Sequence, residues 1–312
     1  MDFKFKEMSP VDNYELTKKY NLKEFLYPNI HTDFELYGMH LRSVKESWMY
    51  PEHEHAKYEI NIVLDGCQLF NVNGTHYTQN AGDIMFLKPG DVHSSSGKKG
   101  AGTFSYFCLH FHIDDKLFLP YIDLDSNNHY YHASSGFSRH VRPYLDRLIE
   151  TCKTANLSLI EKMQIHSILF ELLGVLASLF SKYKGDSDKA TDRCAELAYK
   201  IADQIDKMVR QPCSDNENIL KIEDIASELK ISLSYCNKVF KSVYNMSPRQ
   251  YLSFKKLNES KNLLANKEYS IEQISIMTGY YDVAHFSRQF KRWTGLTPSQ
   301  YRKGNIYRPM KR

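Results

Sequence analysis

The feature that most restricts the fold of this chain is a duplication in its last third. Residues 222–251, "IEDIASELKISLSYCNKVFKSVYNMSPRQY", match residues 271–301, "IEQISIMTGYYDVAHFSRQFKRWTGLTPSQY", in residue type and spacing. Each copy contains a short helix with apolar periodicity, a tight turn and a second helix that begins at an N-cap, Ser232 or Asp282. Because chance rarely preserves both spacing and residue type, the duplication predicts two helix-turn-helix units in an all-α module.

The second helix of each copy has an apolar face and a polar face. The residues predicted to be core are Cys236, Val239, Phe240 and Val243 in the first copy and Phe286, Phe290 and Trp293 in the second. Polar faces of Asn, Lys, Arg and small residues suit the DNA major groove. Charge supports this, since residues 230–312 contain 16 Lys or Arg against 4 Asp or Glu, while the remainder contains 25 against 33. The predicted DNA-binding residues are Ser232, Ser234, Asn237, Lys238, Lys241, Ala284, His285, Arg288, Lys291 and Arg292.

Short strands separated by turns occupy residues 58–112. The turns are Asp65-Gly66, Asn73-Gly74, Ala81-Gly82 and Pro89-Gly90. Asp-Gly and Asn-Gly favour two-residue hairpins, because both central residues can take positive φ. Several hairpins in succession predict a small antiparallel barrel or sandwich.

The pattern becomes helical after the strands. Residues 137–152 are amphipathic, whereas residues 157–184 are apolar around most of the helix. A helix that is apolar nearly all round must be covered on more than one side. We therefore expect one side to lie on the barrel and the other to form a homodimer, with the polar segment 185–192 as a linker. The predicted dimer seam is Leu169, Leu172, Leu176 and Phe180.

Several classes of protein are disfavoured by the composition. The six cysteines contain no C-x-x-C pair, which is typical of reduced thiols in a cytosolic protein. The N-terminus has no apolar core of the kind found in signal peptides. The apolar stretch 168–180 is too short for a membrane span and contains Glu171, so we expect a buried helix and a cytoplasmic protein without a membrane partner.

The segment 279–303, "GYYDVAHFSRQFKRWTGLTPSQYRK", resembles the signature of the AraC/XylS family of bacterial transcription regulators. The matching positions are Gly279, Asp282, Phe286, Ser287, Arg288, Phe290, Lys291, Gly295, Thr297, Pro298, Tyr301 and Arg302. The resemblance implies two helix-turn-helix units joined by a long helix at 247–267, with recognition helices in successive major grooves. Asn245 departs from the family pattern, which commonly has glycine there, although Asn tolerates the left-handed conformation well.

The strand region resembles the cupin-type sensor domain of many members of this family. The first cupin pattern is matched by His53, His55, Glu59 and Gly66, and the second ends at His93. In metal-binding cupins His53, His55, Glu59 and His93 would be ligands, so a metal-dependent cupin enzyme fused to a helical nucleic-acid-binding module stays open as the alternative. Regulators of the family often carry this motif without a metal, so we expect an effector pocket with no catalytic residue and no cofactor. The predicted effector-binding residues are His53, His55, Tyr58, Glu59, His93, Tyr106 and His110, with His112 as a further candidate.

These patterns predict an α+β protein of several domains. The predicted parts are a cupin-like antiparallel β-barrel with an N-terminal arm at 1–136, a helical dimerisation segment at 137–184, the linker at 185–192 and an all-α DNA-binding domain at 193–312. We expect a homodimer that binds double-stranded operator DNA and responds to a sugar-like or other small polar effector. An activator would also contact RNA polymerase.

Overall fold

The computed structural model describes residues 32–115, 118–122, 128–152, 158–181, 189–210, 221–280 and 282–303. The predicted N-terminal arm lies outside these residues. The strands are β1 (Asp33–Val44), β2 (Met49–His53), β3 (Tyr58–Asp65), β4 (Cys67–Val72), β5 (Thr75–Asn80), β6 (Ile84–Leu87), β7 (His93–Gly97), β8 (Phe104–Asp114) and β9 (Tyr130–Tyr131).

The strands form two sheets, in the orders β1-β8-β3-β6-β9 and β2-β7-β4-β5. Strand β3 pairs antiparallel with β6 and β8, and β4 pairs antiparallel with β5 and β7, which confirms the predicted antiparallel architecture. Asn73-Gly74 forms the predicted hairpin between β4 and β5, with φ angles of 51° and 82°. The hairpin predicted at Asp65-Gly66 is wrong, because the chain there leaves the first sheet and enters the second. Gly66 is needed at this corner, since a Cβ atom would lie 2.7 Å from the carbonyl oxygen of Thr103.

The helices follow the strands, apart from a short one between β8 and β9. They are α1 (Leu119–Ile122), α2 (Gly136–Cys152), α3 (Leu159–Ser181), α4 (Lys189–Arg210), α5 (Ile222–Glu228), α6 (Leu233–Tyr244), α7 (Pro248–Ala265), α8 (Ile271–Met277), α9 (Val283–Thr294) and α10 (Pro298–Arg302). Helix α4 begins inside the predicted linker, so residues 189–192 are helical and only 185–188, outside the described residues, keep that prediction.

Helix α3 corrects the predicted dimer seam. Leu169, Leu172, Leu176 and Phe180 are at most 2% exposed and pack into the core of their own chain, so they cannot meet a second subunit. The exposed apolar side carries Ile160, Met163 and Phe170 instead. The error arose because a helix that is apolar all round gives no periodicity from which to choose a face. Among the described helices, α3 is also the one whose length and composition would allow a membrane span, although its buried side chains belong to the protein core.

A single hydrophobic core crosses the predicted domain boundary at residue 193. It extends from the sheets through α2, α3 and α4 into the first helix-turn-helix unit, where Phe240 and Phe254 belong to it. The second unit has a separate small core that includes Leu264, Phe286 and Phe290. The first unit is therefore packed as part of the sensor body, while the second contributes no residue to that core.

Candidate functional site

Five side chains from the two sheets and the β2–β3 loop lie close together, and we call them the histidine cluster: His53, His55, Glu59, His93 and His110. His53 and His93 are paired across β2 and β7, and Glu59 and His110 are paired across β3 and β8. His55 lies in the loop between β2 and β3. Opposed residues of antiparallel strands project from the same face of a sheet, so each sheet supplies one pair to the cluster.

Glu59 is the centre of the histidine cluster. Its Oε2 atom lies 3.1 Å from His55 Nε2, 3.1 Å from His110 Nε2 and 3.4 Å from His93 Nε2. The Cys108 thiol donates a hydrogen bond to the other carboxylate oxygen, Oε1, at 3.1 Å. Three predicted histidines and one thiol that was not predicted therefore surround the Glu59 carboxylate, and Glu59 is 5% exposed.

The pKa values of the residues in the histidine cluster shift in different directions. Burial alone would raise the pKa of the Glu59 carboxyl, but His110, His55 and His93 outweigh it and hold that pKa well below its usual range. Burial lowers the pKa of His53 to about 4 and also lowers that of His55. For His93 burial would lower the pKa, but the contact with Glu59 outweighs it and raises the pKa. The cluster thus combines an ionised carboxylate with two imidazoles, those of His53 and His55, whose lowered pKa favours the neutral form, a set that suits polar ligands and cations.

A cavity of about 450 Å³ opens beside the histidine cluster. Its volume falls within the range of pockets that hold small molecules. The barrel lines it with the histidine cluster, Tyr106 and the unpredicted Trp48. The opposite wall comes from the DNA-binding region, through Phe254, Leu257 and Lys261 of α7 and Arg292 and Trp293 of α9.

Strand alternation explains why Tyr58, a predicted pocket residue, does not line the cavity. Tyr58 is 1% exposed, and its ring stacks on Phe86 and Phe111 in the core, so its assignment to the effector pocket is wrong. It precedes Glu59, and neighbouring residues of a strand project to opposite faces. The same rule, applied to Tyr106 and His110 on β8, would have placed Cys108 at the cavity. His112 is buried and its ring lies 4.4 Å from that of Phe254.

Two lysines flank one tyrosine ring in the cavity wall. Lys57 Nζ and Lys261 Nζ each lie 4.6 Å from the centre of the Tyr37 ring. Burial lowers the pKa of Lys57 to about 8, and Lys261 and Glu35 are among the charges near it. Lys57 comes from the barrel and Lys261 from α7, so this cationic part of the cavity also joins the two regions. No strand was predicted before residue 58, which is why Tyr37 was missed.

The predicted DNA-binding residues lie at the surface of α6 and α9 or at their N-caps. Ser232 and Asp282 are the N-caps, and their side chains accept hydrogen bonds from the backbone N–H groups of Tyr235 and His285. Asn237 is half-buried and donates to the carbonyl of Leu233. The exposed members are Ser232, Ser234, Lys238, Lys241, Ala284, His285, Arg288, Lys291 and Arg292.

The turns that follow the two recognition helices have the same backbone geometry. Asn245 ends α6 with φ 55° and Gly295 ends α9 with φ 75°, both in the left-handed region. Asn is the residue after Gly that best tolerates this conformation, so the departure at 245 leaves the unit intact.

Trp293 does not belong to the core of the second helix-turn-helix unit, contrary to the prediction. It is 37% exposed and lies at the wall of the cavity, next to Arg292. Helical periodicity had placed it with Phe286 and Phe290, but the small second core ends before the last turn of α9.

Comparisons with known proteins match both regions. The model of the AraC-like ligand binding domain matches residues 41–173, and that of a helix-turn-helix domain matches residues 225–304. The Msm operon regulatory protein of Streptococcus mutans is 28% identical over 79% of this chain and 84% of its own. The melibiose operon regulatory protein of Escherichia coli is 24% identical over 80% of this chain and 83% of its own. A solved structure of ToxT from Vibrio cholerae O395 covers 86% of this chain and 98% of its own at 16% identity, with a TM-score of 0.48.

Proposed function

Because the chain belongs to the AraC family of transcription regulators, we propose that it binds operator DNA under the control of a small molecule held between its barrel and helices α7 and α9. Its two matched domains are those of a regulator and not of an enzyme, and its relatives are regulatory proteins. The alternative of a metal-dependent cupin enzyme is therefore set aside.

The observation that carries this proposal is the shared wall of the cavity. A ligand that fills it touches the sensor through the histidine cluster and the DNA-binding region through Lys261, Arg292 and Trp293. Arg292 is also one of the predicted DNA-binding residues of α9. A ligand shifts a conformational equilibrium only by its difference in affinity for the two states. Contacts with α9 supply that difference directly, since they depend on where the second helix-turn-helix unit lies.

The chemistry of the cavity indicates the class of effector. Imidazole, carboxylate and phenol groups suit hydroxyl-rich ligands, and Lys57 with Lys261 suits an additional carboxylate. The named relatives regulate the Msm and melibiose operons. We therefore propose a sugar-like or other small polar metabolite as the effector.

The remaining partners follow from the family and from the exposed side of α3. Ile160, Met163 and Phe170 are at least 50% exposed, and a Cβ atom at Gly174 would meet no other atom within 4 Å. These residues recur at helical spacing, and a second copy of the chain would cover them in a homodimer. Contact with RNA polymerase belongs to the proposal if the protein activates transcription. We place the protein in the cytoplasm, where operator DNA lies.

Intrinsic fluorescence offers a direct test, because both tryptophans of the chain, Trp48 and Trp293, line the cavity. Purified protein first selects operator fragments from a genomic library. In Trp48→Phe the emission comes from α9 alone, and in Trp293→Phe it comes from the barrel alone. A sugar or small carboxylate that shifts both emissions and changes operator affinity supports the proposal. An effector that changes operator affinity but leaves Trp293 emission untouched contradicts the shared wall.

A further inference from the structure

The histidine cluster has a property that a pocket for an organic effector does not require. We propose that His55, Glu59, His93 and His110 bind a divalent transition-metal ion such as Zn²⁺. This inference goes beyond the proposed function, since it does not depend on the operator or on the identity of the effector. It also departs from the expectation of a site without cofactor, which rested on the resemblance to regulators that carry this motif without a metal.

The orientation of the imidazole rings carries the proposal. His55 Nδ1 lies 3.1 Å from the carbonyl oxygen of Lys57, and His93 Nδ1 lies 2.8 Å from that of Asp91. A carbonyl oxygen only accepts, so each Nδ1 carries the proton. In a neutral ring Nε2 then presents a lone pair, and both Nε2 atoms point at Glu59. Rings held in this way by backbone carbonyls are typical of histidines that bind metals through Nε2.

Without a cation these atoms oppose one another. With neutral rings, the Nε2 lone pairs face Glu59 Oε2 at 3.1 Å for His55 and at 3.4 Å for His93. His93 is 3% exposed, and its Nε2 atom finds no hydrogen-bond partner among the described residues. Buried polar atoms left without a partner are costly. Protonating the rings instead would gather several positive charges around one carboxylate, whereas a single metal ion satisfies every lone pair at once.

The distances from Glu59 Oε2 to three histidine Nε2 atoms are close to the ligand separations of a first coordination sphere. Zinc binds imidazole nitrogen at about 2.0–2.1 Å and carboxylate oxygen at about 2.0–2.2 Å, so tetrahedral ligand atoms lie roughly 3.3–3.5 Å apart. The observed separations from Glu59 Oε2 are 3.1, 3.1 and 3.4 Å. Two overlapping sets have ligand atoms that all lie within 4.8 Å of one another: His55, Glu59 and His110 form one, and His53, His55 and His93 form the other.

Two neighbours complete the site. Cys108 donates to Glu59 Oε1, which leaves Oε2 for the metal and makes the thiol a positioning group. The His53 ring lies 4.2 Å from that of His93, and its Nδ1 is 3.0 Å from the carbonyl oxygen of Pro51, so its Nε2 is a further donor. Because the cluster lines the cavity, a bound metal would be open to a hydroxyl or carboxylate oxygen of a ligand. We expect such a metal to serve ligand recognition, since the two matched domains are those of a regulator.

The test uses the full-length protein without an affinity tag. After dialysis against Zn²⁺, the bound metal is counted, and the absorption spectrum of the Co²⁺-loaded protein reports the ligand type. We expect one equivalent in the unaltered protein and none in His55→Ala or His110→Ala. Cys108→Ala should bind about tenfold more weakly, as expected when a group that orients a ligand is lost. His76→Ala is the matched control, because this exposed histidine on β5 lies away from the cavity.

The metal count and the Co²⁺ spectrum decide between a metal site and a pocket without metal. One equivalent with a nitrogen-ligated Co²⁺ spectrum in the unaltered protein supports it even if an alanine variant fails to fold. Retention of the equivalent in both folded alanine variants overturns it, as does an unaltered protein that binds neither ion at micromolar concentration. Operator binding measured with and without chelator is a separate readout, so failure of the metal site leaves the proposed regulator untouched.

Discussion

Replacing Asp114 tests how the barrel is joined to the first helix-turn-helix unit and to α7. Asp114 ends β8, and its Oδ1 atom accepts a hydrogen bond from Tyr244 at 3.3 Å. Its Oδ2 atom accepts from the Tyr251 hydroxyl and lies 2.9 Å from Lys255 Nζ. Lys255 also lies 3.2 Å from Asp206 of α4. One carboxylate thus connects the barrel with α6 and α7, while its lysine partner connects it with α4.

The magnitude follows from the burial of this network. The side chains of Asp114 and Lys255 are 11% and 15% exposed, so solvent screens their attraction only weakly. Removing one partner of a buried ion pair costs about 3–5 kcal/mol. In Asp114→Ala, however, Asp206 still neutralises Lys255, so we expect a loss of about 2–4 kcal/mol. Asp114→Asn keeps an acceptor for the two hydroxyls and should lose about half as much.

Urea unfolding, followed by circular dichroism and tryptophan emission, measures this loss. Asp203→Ala is the control, because Asp203 forms an exposed pair with Lys207 on the same helix as Asp206. Such surface pairs contribute little, so the control should match the unaltered protein. A loss in Asp114→Ala no larger than in the control would refute the claim that this carboxylate holds the two regions together.

The same network predicts a dependence on pH. Burial alone would raise the pKa of the Asp114 carboxyl, but Lys255, His112 and the Tyr251 hydroxyl outweigh it and lower that pKa. A carboxyl whose pKa is lowered by folding stabilises the protein above the unfolded pKa of about 3.9. That contribution is lost as the pH falls through the folded pKa. The difference between the unaltered protein and Asp114→Ala should therefore be full near neutral pH and shrink in acid. A constant difference would contradict the assignment.

Three further predictions concern the other surfaces. Arg288→Ala should cost about 1–3 kcal/mol of operator binding if the guanidinium reads a base, and affinities for operator and scrambled DNA should converge; an unchanged ratio would remove Arg288 from base recognition. Phe170→Glu should dissociate the dimer in sedimentation, while the control Lys200→Ala, which changes the net charge by the same amount, does not; an unaltered protein that is monomeric at micromolar concentration would defeat this. Asn245→Ala should lower stability by about 1 kcal/mol in thermal unfolding whereas Asn245→Gly should not, because the backbone there is left-handed.

Local rules predicted the parts of this molecule that depend on neighbours in the sequence. The duplication predicted both helix-turn-helix units, and Asn73-Gly74 predicted its hairpin, because φ signs and N-caps are set within a few residues. The same rule failed at Asp65-Gly66, where a dipeptide that permits a hairpin serves a corner between sheets. Turn chemistry fixes the backbone angles, but it does not say which strand the next segment will pair with.

Long-range packing decided the rest. Whether Leu176 or Phe170 of α3 faces the core depends on the surfaces of the barrel and α2 that the helix packs against. A helix that is apolar all round has no hydrophobic periodicity from which its buried face could be predicted. The tautomers of the histidine cluster were equally hidden, since they are set by carbonyl groups such as that of Asp91. The cupin-like motif contained three of the four residues that we propose as metal ligands, whereas His110 as a ligand and the ring orientations came from the structure.

The position of Trp293 also bears on how effector and operator are connected. Trp293 and Arg292 share one helix with Arg288, the residue expected to read DNA, and they line the cavity that holds the histidine cluster. A helix is stiff over so short a distance. Any movement of α9 that fits Arg288 to a major groove would therefore also move the part of the cavity wall that Arg292 and Trp293 form. Ligand and operator then act on the same rigid element, and by linkage each changes the affinity for the other by the same factor. A relay through the dimer interface is therefore unnecessary for the response, and a monomeric Phe170→Glu variant should retain effector-dependent Trp293 emission even where it has lost tight operator binding.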